Sequence, residues 1–375
     1  MKKIIAIILS LVLSVSFFSC SGDKSTDLTT RDYIAMDTIF SIRVGNIPDN
    51  TGSAAIDTKS VLDGCEKLTE EIELVLSATM PESEVYSFNS GVNALFDADP
   101  ILTEVMETAF RISEITDSAY DPTIGALTSL WNVKGGGPVP TENEIGTALA
   151  ASGAKYIEIK DNSIYKSNPA VKLDFGGIGK GYATQRLAEY LFEEGIPYGI
   201  ISAGRNVGVF GEKPDGSPFK IGIADPRNTE GVVGYLYTES GFISVAGDYE
   251  QYFEADGVRY HHIMDPATGY PSDSGLSSVA VISQNGTAAD ALSTALMVMG
   301  YDKGIEFYRS DEMPFEAVFI FSNGAVKLTD GLSDGRFEFS KTYDPDATVI
   351  LTTAETTSAS VTSNTTSSEV SSAKG

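Results

Sequence analysis

"KLDFGGIGKGYATQRLAEYLFEEG" (residues 172–195) runs from a short apolar stretch through a glycine-rich turn into a helix closed by Gly195. The turn looks like a nucleotide loop and fails both tests for one. A P-loop needs Gly where Asp174 stands and Ser or Thr where Gly181 stands. A dinucleotide fingerprint needs a third Gly where Tyr182 stands. What remains is a strand-to-helix turn. Its backbone N–H groups and the positive end of the helix suit an anion, with Lys180 in the first turn. The plainer reading is a tight connection with no ligand.

Helical spacing recurs on either side, in 61–78, 101–116 and 286–300, and Thr141 to Glu144 form a capping-box pattern over 141–152. Between residues 198 and 283 come strand-like runs, "YGIISA", "FKIGIA", "VVGYLYT", "GFISVAG", "YEQYFEA" and "LSSVAVIS", punctuated by Gly, Asp and Pro. A hairpin is expected across Asn323-Gly324. The pattern is α+β, with helices packed on a largely antiparallel sheet.

The chain has 375 residues and a formal net charge of -26, with 26 Lys+Arg against 52 Asp+Glu. Such a surface repels phosphate backbones, so no nucleic-acid partner is expected. An anionic ligand would need a metal ion, a few basic groups or backbone N–H groups around it. The start, "MKKIIAIILSLVLSVSFFSC", reads as a signal peptide over 1–19, followed by a polar linker over 20–32. Cys20 resembles the lipidated cysteine of a bacterial lipoprotein; the plainer alternative is an ordinary signal peptide with a chance Cys. The lipoprotein reading gives an exported protein held to the membrane by its N-terminal lipid, on the extracytoplasmic side. The end of the chain is Ser/Thr-rich from about Thr352, and 341–375 is expected to be a disordered tail. The domain between spans 33–340.

Two further features carry chemistry. Asp290 and Thr294 are four residues apart and share one helix face. A carboxylate, a hydroxyl and an oxygen from a nearby loop suit Mg²⁺, although a lone helical Asp is more often simply solvated. Both histidines of the chain fall in "HHIMDPATGYP" (261–271). They follow one another in a strand-like run, so at most one faces a given site. Neither has zinc-ligand spacing, and both could be surface residues.

In order along the chain, "AMDTIFSI", "PESEVYSFN", "SAYDPTIGALTSLW", "LDFGGIGKGYATQRLAEYL", "ISAGRNVGVFG", "IGIADP", "HHIMDPATGYP" and "AADALSTAL" resemble the ApbE family of flavin transferases. The match covers roughly residues 33 to 300. The resemblance implies an ApbE-like, T-fold-related architecture. It also implies Mg²⁺-dependent cleavage of FAD, transfer of FMN to a Thr or Ser hydroxyl of exported acceptor flavoproteins of membrane redox complexes, and release of AMP. It places Asp290, Thr294 and a backbone carbonyl near Gly177 as metal ligands. Met36, Tyr120, Asp121, Asp174, Lys180 and Ile263 become FAD contacts, and His262 with Asp290 the catalytic pair, His262 as general base with His261 facing away. Three positions depart from the family pattern. Asp37 and Arg205 stand where Gly is usual, and Thr79 where an aromatic residue often lies beside the flavin. Arg205 either reaches a phosphate or crowds its turn. The alternatives to the transferase are an FAD-binding lipoprotein, or a pyrophosphatase that makes FMN and AMP from FAD.

Overall fold

A computed structural model describes residues 28–45, 57–91, 94–95, 97–160 and 162–343. The leader, Cys20, the linker up to residue 27 and the tail from residue 344 lie outside the described residues. The elements, in chain order, are β1 (Leu28–Ala35), β2 (Thr38–Gly45), α1 (Thr58–Leu76), α2 (Glu84–Asn89), β3 (Ala94–Leu95) and α3 (Pro100–Ile115). Next come α4 (Gly125–Trp131), α5 (Glu142–Ala150), β4 (Ile157–Lys160), β5 (Ser163–Lys166) and α6 (Gly179–Glu193). The rest are β6 (Tyr198–Ala203), β7 (Asn206–Gly211), β8 (Phe219–Asp225), β9 (Asn228–Thr238), β10 (Gly241–Gly247), β11 (Tyr252–Ala255), β12 (Val258–His261), β13 (Leu276–Ser283), α7 (Gly286–Ser310), β14 (Glu316–Phe321), β15 (Val326–Leu328) and β16 (Phe337–Phe339).

One eight-stranded sheet, in the order β1-β2-β6-β7-β10-β13-β14-β15, organises the chain. Every neighbouring pair in it is antiparallel. Side-chain alternation assigns its two faces. Phe40, Ile42, Val279, Val281 and Phe319 join the core formed with α1, α3, α6 and α7. Val209, Ile243, Ala280, Val318 and Ile320 pack instead against β8, β9 and β16, a separate three-stranded sheet. Because both faces of β13 and β14 are covered, their inner runs, 279–282 and 317–321, are continuously apolar rather than alternating.

The capping box of α5 and the hairpin over Asn323-Gly324 form as expected, with Gly324 at φ 85°. Three features differ from expectation. β1 begins at Leu28, inside the stretch read as linker, because it pairs with β2 along its whole length. The β1–β2 turn is only Met36-Asp37, both at positive φ (49° and 59°), the pattern of a type I′ hairpin. Asp tolerates that conformation, so Asp37 keeps the geometry a Gly would supply. Lastly, α7 does not stop at residue 300: a non-helical Gly300 (φ 74°, ψ 178°) kinks it, and helix resumes to Ser310.

Candidate active site

The site forms where α6 and α7 cross. Side chains are excluded from the crossing point. A Cβ on Gly181 would lie 2.2 Å from the carbonyl oxygen of Gly286 and 2.5 Å from the Asp290 Cβ, and one on Gly286 would lie 2.9 Å from the Gly181 carbonyl oxygen. The helices cap each other there. Ile178, at the N-cap position of α6, provides no side-chain hydrogen bond. The need is met from the other helix: Gly181 N–H donates to Asp290 Oδ2 at 2.8 Å. In return Gln185 Oε1 accepts from Gly286 N at 2.9 Å and Thr287 N at 3.3 Å.

Asp290 is 5% exposed, which overturns the solvated-residue reading. Its Oδ1 accepts from Asn206 Nδ2 at 3.2 Å and Ser244 Oγ at 3.0 Å. All three donors are neutral, so the buried charge is oriented but not cancelled; the positive end of α6 offsets part of it. A carboxylate offers about four acceptor positions, so Oδ2 keeps one for a further partner. Thr294 lies on the same face of α7, its Oγ1 3.0 Å from where a side chain on Gly177 would begin. Thr294 therefore meets Gly177, one helical turn along α7 from Asp290.

Tyr120 closes the floor. Its ring is 3.4 Å from that same position on Gly177, and its buried hydroxyl has no hydrogen-bond partner. Burial, followed by the charges of Asp174, Asp290 and Asp121, pushes this phenol well above its ordinary value. A buried hydroxyl with no partner, within the field of three carboxylates, leaves room for a water or a ligand oxygen. Among the described residues no group of three or more His, Cys, Asp or Glu is placed to hold a metal alone. The residues fit Mg²⁺ nonetheless, because it is commonly held by one or two carboxylates together with water and substrate phosphates.

Asp174 builds the turn ahead of α6. Its Oδ1 accepts from Gly176 N at 2.8 Å and its Oδ2 from Thr128 Oγ1 at 2.6 Å. Lys180 Nζ donates to Gly176 O at 2.9 Å, folding its charge back over the same turn. Met36 reaches across from the β1–β2 hairpin to within 3.3 Å of where a Gly179 side chain would begin. Asp121 is buried and accepts from Thr123 N and Oγ1 through Oδ1, so part of it shapes its own loop. Thr79 is exposed in the connection between α1 and α2.

His261 ends β12 and His262 lies just beyond it, and the two rings take different partners. His261 is buried, with Nε2 2.8 Å from Ser272 O and Nδ1 accepting from Ile263 N at 3.2 Å. Nε2 joins the end of β12 to the segment after the "DPATG" turn, Nδ1 holds the backbone just before that turn, and burial pushes the pKa down. This contact also fixes Ile263, which is 4% exposed. His262 is half-buried on the other side. Its Nδ1 lies 3.3 Å from Gln251 O, so Nδ1 carries the hydrogen and Nε2 keeps a lone pair. Burial first, then His261 and Lys180, push it down to about 4 against the hydrogen bond to Gln251 O and the charge of Asp174, which favour the protonated ring. It is a neutral imidazole at pH 7.

Arg205 neither crowds its turn nor lies free in the site. Gly204, at φ 61°, takes the demanding position of the two-residue β6–β7 turn. Arg205 pairs with Glu250, Nε to Oε1 2.8 Å. The Asp290 partners Asn206 and Ser244, and the Glu250 and Gln251 contacts, were not anticipated from the sequence. They sit in ordinary strand and turn text with no local mark.

The fold and site define an α+β protein with an oxygen-lined, glycine-framed site at a helix crossing beside a neutral histidine. The chain belongs to the ApbE family: the family model, described as "ApbE family", matches residues 36–319. It is 32% identical over 286 residues to an FAD:protein FMN transferase of Vibrio cholerae, covering 74% of this chain and 83% of that protein. An FAD:protein FMN transferase of Treponema pallidum is 28% identical, with 84% and 91% covered. Among solved structures, the ApbE protein of Thermotoga maritima matches with TM-score 0.74 at 33% identity, covering 82% of this chain and 98% of that one. The flavin transferase ApbE of Vibrio cholerae matches with TM-score 0.70 at 29% identity, covering 80% and 96%.

Proposed function

We propose that this protein transfers FMN from FAD to a Thr or Ser hydroxyl of an exported flavoprotein and releases AMP, with Mg²⁺ required. The observation that carries the reading is Thr294 against Gly177 one helical turn from the buried Asp290, with His262 in electrostatic reach of Lys180 and Asp174, in a chain of a family whose relatives are named FAD:protein FMN transferase. Phosphoryl transfer asks mainly for positioning and charge neutralisation. Bound at Asp290, Thr294 and the Gly177 carbonyl, Mg²⁺ would supply that neutralisation on the diphosphate. Lys180 adds a second positive charge, and the glycine turn lets the diphosphate approach the N-terminus of α6. The acceptor oxygen attacks the phosphorus on the FMN side. The bond to the AMP oxygen breaks, and AMP leaves with the electron pair. The hydroxyl proton passes to His262 Nε2, while Nδ1–H stays on Gln251 O. Met36 and Tyr120 border the space left for the flavin end.

The acceptors belong to membrane redox complexes, and the protein stands beside them as an exported lipoprotein anchored through Cys20. Supporting this are the positively charged, apolar start and the cysteine that follows it. Among the described residues no helix is long and apolar enough to cross a membrane.

One observation favours a second activity. With Thr79 exposed and small, less apolar surface would cover a flavin bound beside it, and water would reach the same phosphorus more readily. Slow hydrolysis of FAD to FMN and AMP is the consequence. The test is to incubate the protein with FAD, Mg²⁺ and candidate exported proteins. A covalent FMN mass shift on an acceptor with matching AMP supports transfer. AMP release with no acceptor labelled supports hydrolysis, and no AMP at all overturns both.

A further inference from the structure

The chemistry above leaves unused the ion pair between the β6–β7 turn and the segment linking β10 to β11. Arg205 Nε is 2.8 Å from Glu250 Oε1, with side chains only 11% and 24% exposed. Its guanidinium also lies over the Tyr249 ring, 5.1 Å from the centroid. A pair so shielded escapes most of the screening that makes surface pairs weak.

Both partners of Arg205 belong to the turn at 248–251. That turn is tied at its start, where Asp248 N donates to Ser277 O at 3.0 Å. Regular pairing resumes only at Tyr252. Between these points lies Gln251, whose carbonyl accepts from the His262 backbone N at 3.0 Å and faces its Nδ1 at 3.3 Å. A carbonyl beside one ring nitrogen decides which tautomer a histidine adopts and where its ring points.

We propose that Arg205 is a positioning residue: by clamping Glu250 and Tyr249 it holds the 248–251 turn so that the Gln251 carbonyl keeps His262 as the Nδ1–H tautomer, with Nε2 presented as the proton acceptor. The next residue, Asn206 at the start of β7, points its amide at Asp290. The same hairpin thus braces the carboxylate with one residue and the histidine with the next. The kinetic consequence rests on the reading of His262 as the base; the tautomer does not.

With 2 His in the whole chain, protein labelled with ¹⁵N-histidine gives two ring spin systems to follow by NMR. In the wild type His262 should be the Nδ1–H tautomer, neutral down to about pH 4, with His261, Lys180 and Asp174 as the charged or titratable groups acting on it. In Arg205→Gly and in Glu250→Gln, His262 should become a tautomer mixture and its midpoint should fall, because the Gln251 carbonyl that favours the protonated ring no longer holds it. His261, held by Ser272 and Ile263, should not change. kcat for transfer should fall about tenfold, a fraction of a lost general base, with KM for FAD unchanged. Arg205→Lys should restore part of it, and the double variant should be no worse than either single one. Should Arg205→Gly fail to fold, Glu250→Gln decides alone, since it keeps the shape of the turn. An unaltered His262 tautomer and midpoint in Glu250→Gln would overturn the proposal. The expected NMR change in a protein that releases no AMP from FAD would leave the positioning role standing and remove the transferase reading.

Discussion

Asp290 on α7 accepts the Gly181 N–H of α6 at 2.8 Å, so the carboxylate assigned to the metal is also the missing cap of the neighbouring helix. The two tasks can be separated by substitution. Asp290→Asn can keep an oxygen toward Gly181, while Ser244 and a turned Asn206 amide accommodate the new donor. It should fold with little change in melting temperature and lose Mg²⁺-dependent turnover. Asp290→Ala strands the Gly181 N–H and two side-chain donors in a buried place, and should cost about 2–4 kcal/mol in addition. Urea unfolding beside an AMP-release assay checks both, and full turnover by Asp290→Asn would remove this residue from the chemistry.

The glycine crossing gives a second expectation. Gly181→Ala places a Cβ 2.2 Å from a backbone oxygen that cannot turn aside, so the helices must part and Asp290 must move with them. A loss of about 3 kcal/mol is expected, together with most activity. Gly146 in α5 is the control: nothing lies within 4 Å of its Cβ position, and Ala there should be neutral or stabilising by about 0.5–1 kcal/mol. Equal melting temperatures for the two variants would contradict the tight crossing.

The histidines should fail differently. His262→Ala should lose on the order of 10²-fold in transfer with the fold intact. His261→Ala breaks the bridge between Ile263 N and Ser272 O, so its first effect should be on stability, about 1–3 kcal/mol, with a smaller effect on kcat in the molecules that remain folded. Thermal melts set against single-turnover rates distinguish the two. Matching losses of rate at unchanged melting temperature would count against the assignment.

The depressed pKa of His262 has a signed consequence. A base must be neutral to act, so lowering its pKa extends activity toward acid. kcat/KM, which reports the free enzyme, should stay flat from pH 7.5 to about 5 and fall only as pH approaches about 4. An acidic limb centred on 6.5 would mean that His262 is as solvated as a free histidine.

Thr79→Tyr should shift product from free FMN toward protein-bound FMN, because a ring in the α1–α2 connection can cover the flavin and exclude water. The ratio of free to bound FMN in wild type and variant measures this. An unchanged ratio would show that Tyr120 or Met36 already supplies the cover.

Local sequence determined what local physics governs. The i, i+4 placement of Asp290 and Thr294 follows from helical periodicity alone, and the expectation that His261 and His262 do not share one site from strand pleating. The capping box at Thr141 and Glu144 and the turn at Asn323-Gly324 are likewise short-range bargains between neighbours. Even the failure of 174–181 as a nucleotide loop was legible, since such loops need given residues at given places. Tertiary structure decided the rest. Asp290 is held by Gly181, Asn206 and Ser244, which lie 109, 84 and 46 residues away in the chain. None of the three carries a mark in its own neighbourhood, because an amide, a backbone N–H and a hydroxyl are ordinary in any strand or helix. The continuation of α7 beyond Gly300 and the salt bridge of Arg205 to Glu250 were hidden for the same reason. Periodicity fixes which face a side chain takes, whereas its partner across that face is fixed only when the sheet and helices close around a common core.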